Sequence, residues 1–179
     1  MKGIVFTEFL DFVKVRYSDD TVDDIIEASA LASGGAYTSV GTYDHNELIQ
    51  LCHELSKQTG VNIEDLIKDF GVKLSHVFAK NYAVFFSRCS HYFDFLESIE
   101  AHIHKEVRKL YPDAELPTFS IIERSRSRLI MDYSSPRQMS ILAQGLLAGT
   151  ASQFNVNVIV QAEPGIDDEQ VTRFIIDLV

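Results

Sequence analysis

Tyr133, Ser135 and Arg137 of "MDYSSPRQMS" place a phenol, a hydroxyl and a guanidinium side by side where a strand is expected to pass into a helix. Ser135 and Gln138 have the spacing of a capping box, with Pro136 at the first helical position. On that reading Arg137 stands in the first helical turn, at the positive end of the helix dipole. A cation there is disfavoured by roughly a few tenths of a kcal/mol unless an anion accompanies it. Exposed backbone N–H groups, the dipole and a bidentate cation together make a site for a carboxylate or phosphate. Plain helix capping is the competing reading.

His102 and His104, in "EAHIHKEVRKLYP", are the second candidates. With Ile103 at the centre of an apolar stripe, about 100° of rotation per residue puts His104 at one margin, near Phe93, and His102 at the other, near Phe95. Periodicity does not choose between them, and two ordinary boundary histidines would look the same. Zinc is disfavoured because these histidines diverge on a helix, no HExxH is present, and Cys52 and Cys89 form no CxxC pair. A serine hydrolase lacks its GxSxG elbow. The "RSRSR" run at 124–128 reads as a solvated turn between strands rather than a nucleic-acid contact.

The elements that must position these residues follow from apolar spacing and caps. Ile4, Phe6, Phe9, Leu10, Phe12 and Val13 predict a first helix, and "SDD" opens a second through Val22, Ile25 and Ile26. After the loop "SGGAYTSVGTY", Asp44 caps a third helix that Gly60 ends, and Asn62 caps a fourth through Leu66 and Phe70. An aromatic linking region around Tyr82, Phe85 and Phe86 leads to a helix from about His91 to Leu110, with the stripe Phe93, Leu96, Ile99, Ile103, Val107 and Leu110. "TFSIIERSRSRLIMDY" alternates into two strands, a helix capped at Ser135 runs to about Phe154, and "NVNVIVQAE" and "VTRFIIDLV" are strands. The expected class is α+β, a helical N-terminal part packed on a C-terminal part with an antiparallel sheet of about four strands.

With 179 residues the chain is expected to form one domain, 1–179. Its formal charge of −10 argues against general nucleic-acid binding. Two cysteines without a pairing pattern fit a reducing cytoplasm, both read as buried thiols. Glu8 and Asp11 interrupt the opening apolar run, so it is not a signal peptide, and the uncharged stretch Ser140 to Ala162 changes period midway, so it is not a membrane span.

Taken together, "MKGIVF", "FLESIEAHIHKEVRKLYPDAELPTF", "DYSSPR" and the "GLLAG" helix resemble the haem nitric oxide/oxygen-binding family, H-NOX, bacterial relatives of the haem domain of soluble guanylate cyclase. The resemblance covers essentially the whole chain. In that family a helical histidine seven residues before the Tyr of a Tyr-Pro pair ligates haem iron, which here selects His104 over His102. The family's Tyr-x-Ser-x-Arg motif, which grips the haem propionates, falls on Tyr133, Ser135 and Arg137; the anion beside Arg137 is then a propionate pair. The haem-bending proline corresponds to Pro117. Val5, Phe9, Leu74, Phe78 and Leu142 are expected to line the distal pocket.

The resemblance implies a cytoplasmic, non-enzymatic sensor holding haem b between its two parts. Oxygen-binding members carry a distal Tyr five residues after the motif Arg, where this chain has Leu142. Bound O₂ needs a hydrogen-bond donor and NO does not, so binding of nitric oxide and CO with exclusion of O₂ is expected, unless Tyr43 or Tyr82 folds inward. Rupture of the iron–His104 bond would carry the signal to a separate histidine kinase or a cyclic-di-GMP synthase or phosphodiesterase, with no nucleic acid and no membrane involved. The zinc-binding cysteines of some relatives are missing. The alternatives are a haem-free module for an apolar acidic ligand and a metal-dependent hydrolase.

Overall fold

After the first helix, each long helix of the first half opens on a side chain that accepts a backbone N–H. The structure, a computed structural model, describes residues 1–165 and 170–179. Helix α1 spans Gly3–Arg16. In α2, Asp19–Ala28, the Ser18 hydroxyl accepts from the Thr21 N–H at 3.0 Å. In α3, His45–Thr59, Asp44 accepts from Asn46 at 2.9 Å, and Gly60 closes the helix in the left-handed region at φ 70°. Helix α4, Ile63–Asn81, opens on Asn62, which accepts from Glu64 at 2.7 Å. These caps stand where the sequence predicts them.

The chain divides into two compact units, Met1–Phe70 and Gly71–Val179, with the boundary inside α4. In the first, Phe9 meets Phe70 edge-on at 5.2 Å, and Phe6 stacks on Tyr37 at 4.6 Å. The loop between α2 and α3 is pinned by the buried carboxylate of Glu47, which accepts from the Tyr37 hydroxyl at 2.7 Å and from the Ser33 hydroxyl.

The second unit continues α4 into a short α5, Ala83–Phe86, and then α6, Tyr92–Ser98. A π-helical turn, Ile99–Ile103, joins α6 to α7, His104–Leu110. Strands β1, Thr118–Arg124, and β2, Arg128–Ser134, precede α8, Ser140–Ala151. Strands β3, Val158–Pro164, and β4, Val171–Leu178, complete an antiparallel sheet in the order β1-β2-β4-β3. The class is α+β, as expected. Leu129, Met131 and Tyr133 of β2 join Phe174 and Ile176 of β4 in the buried cluster beneath α6 and α8, where the Tyr92 hydroxyl donates to the Leu147 carbonyl at 2.7 Å. On the sheet Arg128 pairs bidentately with Asp177, and Arg173 with Asp132. No helix among the described residues is long and apolar enough to cross a membrane, and the uncharged stretch is α8 followed by β3.

One boundary departs from the sequence reading. The helix expected to start at a Ser135 cap starts at Ser140, because Gln138 sits in the left-handed region at φ 49° and breaks helical continuity. Helix α8 also lies against α4 with almost no gap: a Cβ on Gly149 would stand 2.8 Å from the Val72 Cα and 2.9 Å from the Val72 oxygen. A methyl there must push backbone aside. Gly149→Ala is therefore expected to destabilise the fold by about 1–3 kcal/mol despite alanine's better helix propensity, read as a lowered urea midpoint.

Candidate functional site

The π turn decides which histidine faces inward. In it the His104 N–H donates to the Ile99 carbonyl, five residues back instead of four. One residue more than an α-helix would hold is accommodated, which turns the following helix by about 100° relative to the expected stripe. His104 is consequently buried at 8% exposure, whereas Leu110, the stripe's last member, is 71% exposed. His102 faces solvent. The ring beside His104 is Phe119 of β1, at 5.9 Å, rather than Phe93. Phe119 lies 5.4 Å from Tyr133, which lies 5.8 Å from Phe174, so a run of rings connects His104 to the inner face of the sheet.

The electrostatics of His104 are specific. Its Nδ1 is 2.9 Å from Oε2 of Glu100, and since a carboxylate only accepts, Nδ1–H donates. Nε2 then carries the lone pair, with no hydrogen bond among the described residues. Burial holds the imidazole below the ordinary histidine range, outweighing the opposite pull of Glu100. Arg108 donates to the other Glu100 oxygen at 3.3 Å. The result is a neutral, oriented imidazole with one nitrogen free for a metal.

Tyr133 closes β2 with its ring buried and its hydroxyl against the Ser135 side chain and the Met139 backbone, and burial pushes the phenol above its usual value. The Ser135 hydroxyl accepts from the Arg137 N–H at 3.2 Å, within a turn closed by Gln138 N–H to the Ser135 carbonyl at 3.1 Å. Arg137 therefore stands in a turn and not in the first turn of α8, which removes the dipole argument for an anion. The guanidinium itself supplies a better one. It reaches back to Glu115, donating to its carbonyl at 2.8 Å and to its carboxylate at 3.1 Å. This latches the segment carrying the half-buried Pro117 to the Tyr133 turn.

The remaining candidates are distributed. Leu74 and Leu142 are buried on α4 and α8, and the Gly71 Cα lies so near that a Cβ there would stand 2.6 Å from the Leu142 carbonyl oxygen. Phe78 packs edge-on to Tyr82 at 6.0 Å. Val5 and Phe9 belong to α1 in the first unit, where Phe9 is fully buried and Val5 partly so. The Tyr43 hydroxyl, also in that unit, accepts from the Thr38 N–H at 2.9 Å. Of the "RSRSR" run, Arg124 is spent on Asp94 at 2.6 Å and Glu97 at 2.5 Å. Cys52 is buried, its thiol pushed up to about 12 by burial, while Cys89 is only half-buried, contrary to expectation; both are free. No cluster of metal-binding His, Cys, Asp and Glu side chains occurs among the described residues. The sequence reading missed Glu100, Glu115 and Phe119. Only Glu100 left a signal, four residues before His104 on a helix.

A family model described as haem-NO-binding matches residues 2–162. The chain belongs to this family. It is similar to the H-NOX protein of K. algicida in the unliganded Fe(II) state, with 41% identity over 100% of this chain and 97% of that one, at a TM-score of 0.93. The H-NOX of Shewanella woodyi, solved bound to IWP-051 in the Fe(II)CO state, is 35% identical over 100% and 95% of the two chains, at 0.85. That of S. oneidensis in the Fe(II)NO state is 26% identical over 100% and 99%, at 0.90. Among curated proteins none matches.

H-NOX domains are haem-binding gas sensors. The residues of this chain fit such a group on their own chemistry: a buried neutral imidazole offering Nε2, an apolar ring beside it, and a guanidinium already engaged with a carboxylate. Because the Glu115 side chain is 70% exposed, its ion pair with Arg137 contributes only about 0–1 kcal/mol and another carboxylate can replace it. Glu115→Gln should leave the haem-free protein's unfolding free energy within about 1 kcal/mol of the parent; a larger loss in urea titration would make the pair a structural tie rather than an open anion site.

Proposed function

We propose that this chain is a cytoplasmic sensor of nitric oxide that holds one haem b through His104. The observation that carries this reading is the buried, neutral His104 with Nδ1 engaged and Nε2 free, in a chain of this family. Bound ferrous haem would supply an iron able to take NO or CO. His104 is the protein's single ligand to it. Tyr133, Ser135 and Arg137 hold the carboxylate end, Arg137 exchanging the Glu115 carboxylate for propionate through charge-assisted hydrogen bonds. Pro117, carried on the segment that Arg137 latches, packs against the macrocycle. His102, exposed, has no part.

Gas selectivity rests on what the side chains lack. Val5, Phe9, Leu74, Phe78 and Leu142 offer no hydrogen-bond donor; the Tyr43 hydroxyl accepts from the Thr38 N–H, and Tyr82 packs on Phe78. Unless the Tyr43 or Tyr82 hydroxyl turns toward it, a polarised ligand such as O₂ finds no donor among the five to retain it, whereas NO needs none. The relatives solved with NO and with CO support this choice of ligands. Because His104 opens α7 directly after the π turn, loss of its hold on the group would free that turn to change register, a two-state element of the kind switching requires. The partner proposed to read the change is a histidine kinase or a cyclic-di-GMP synthase or phosphodiesterase.

Expression with ample haem supply should yield a red protein whose ferrous spectrum survives His102→Ala and is lost or altered in His104→Gly. The reverse pattern would put the ligand one position pair away, and a colourless protein would favour the apolar-acid binding module. In air the ferrous protein should form no lasting oxygen complex while binding NO and CO; Leu142→Tyr is expected to slow oxygen loss, and a stable oxy spectrum in the parent protein would contradict the donor-free pocket.

A further inference from the structure

Glu100 stands inside the π turn with both carboxylate oxygens committed. Oε2 accepts from His104 Nδ1–H at 2.9 Å, and Oε1 accepts from Arg108 Nη2 at 3.3 Å. Side-chain exposure rises along this line, from 10% at His104 to 33% at Glu100 and 43% at Arg108. An ion pair this open contributes little to stability, so the Glu100 carboxylate is directed mainly by its place four residues before His104 and by the shorter contact to it, with Arg108 as a further donor. It points at the nitrogen opposite the free Nε2.

We propose that Glu100 is a positioning residue that sets how firmly His104 holds iron. The proposal rests on the reading of His104 as the axial ligand. A carboxylate accepting the Nδ1 proton fixes the tautomer and ring orientation and shifts electron density toward Nε2, making the imidazole a stronger donor. A stronger donor tightens the bond to iron, favours the ferric state and raises the resistance that NO binding must overcome to detach His104. A neutral amide at the same place accepts more weakly, and an alkyl side chain does not accept at all. The identity of residue 100 thus tunes the trigger without touching the gas.

The test is the iron–histidine stretching band of the ferrous holoprotein by resonance Raman, with the ferric/ferrous potential measured alongside. Glu100→Gln should lower the band and raise the potential, and Glu100→Leu should do both further, while His102→Ala leaves both at parent values. A role confined to holding the helix together would not grade the band by acceptor strength. A second measurement keeps Glu100 in place: His104→Gly supplied with imidazole should give a higher band than with 1-methylimidazole, which has no N–H to donate. A parent band that His104→Gly abolishes, yet that neither Glu100 substitution moves, overturns the proposal alone; equal bands with the two added ligands do the same. A parent protein lacking the band, or keeping it in His104→Gly, overturns the assignment of His104 and this proposal with it.

Discussion

One backbone hydrogen bond, from the His104 N–H to the Ile99 carbonyl, orients the part of the molecule that carries chemistry. In an unbroken α-helix that N–H would go to Glu100, and the apolar stripe would continue from Phe93 and Leu96 toward Leu110. The extra residue rotates the helix instead, turning an imidazole inward and a leucine outward. Burying an imidazole costs free energy unless its N–H is satisfied. Glu100 satisfies it from within the same turn, so the distortion and its compensation are neighbours in sequence. What is left over is Nε2, and π turns of this kind recur where a helix must present a side chain for function.

From His104 the order spreads by packing. Phe119 is the contact between the helix and the sheet, and its ring touches both His104 and Tyr133. Tyr133 is fixed in turn by Phe174 on its apolar side and by Ser135 and Met139 at its hydroxyl. Burial would make that phenol costly without those partners. The turn that supplies them places Arg137, so the imidazole and the guanidinium are tied to one aromatic run although 33 positions separate His104 from Arg137.

Much of this was legible in the sequence. Ser18, Asp44 and Asn62 act as caps because short polar side chains before an apolar period have few other uses, and the β2 alternation is visible because one sheet face is buried. The resemblance, carried by "YSSPR" and by the spacing from His104 to Tyr111, pointed to the family that the family model matches. Part of what escaped shares a cause: single-residue changes of register. Periodicity averages over several turns and cannot see one inserted residue, so the π turn was invisible and His102 and His104 stayed equivalent by spacing alone. The capping box at Ser135 failed likewise, since its pattern is satisfied by any turn, and only the left-handed Gln138 distinguishes turn from helix. Glu47 and Glu115 escaped because their partners, Ser33, Tyr37 and Arg137, are distant in sequence.

The two ends of the site are built on opposite principles. At Arg137 the chain uses an exchangeable ion pair, with Glu115 mostly in solvent, so a ligand carboxylate replaces the chain's own at little cost. At His104 the imidazole is buried and its tautomer set by the Glu100 carboxylate within the same helical segment, with Arg108 on the other carboxylate oxygen. An anion site that yields easily suits a group that must enter and settle. The imidazole is preoriented from within its own helix, whereas the guanidinium is held by a partner exposed to solvent, and Phe119, which touches both His104 and Tyr133, is the packing contact between the two.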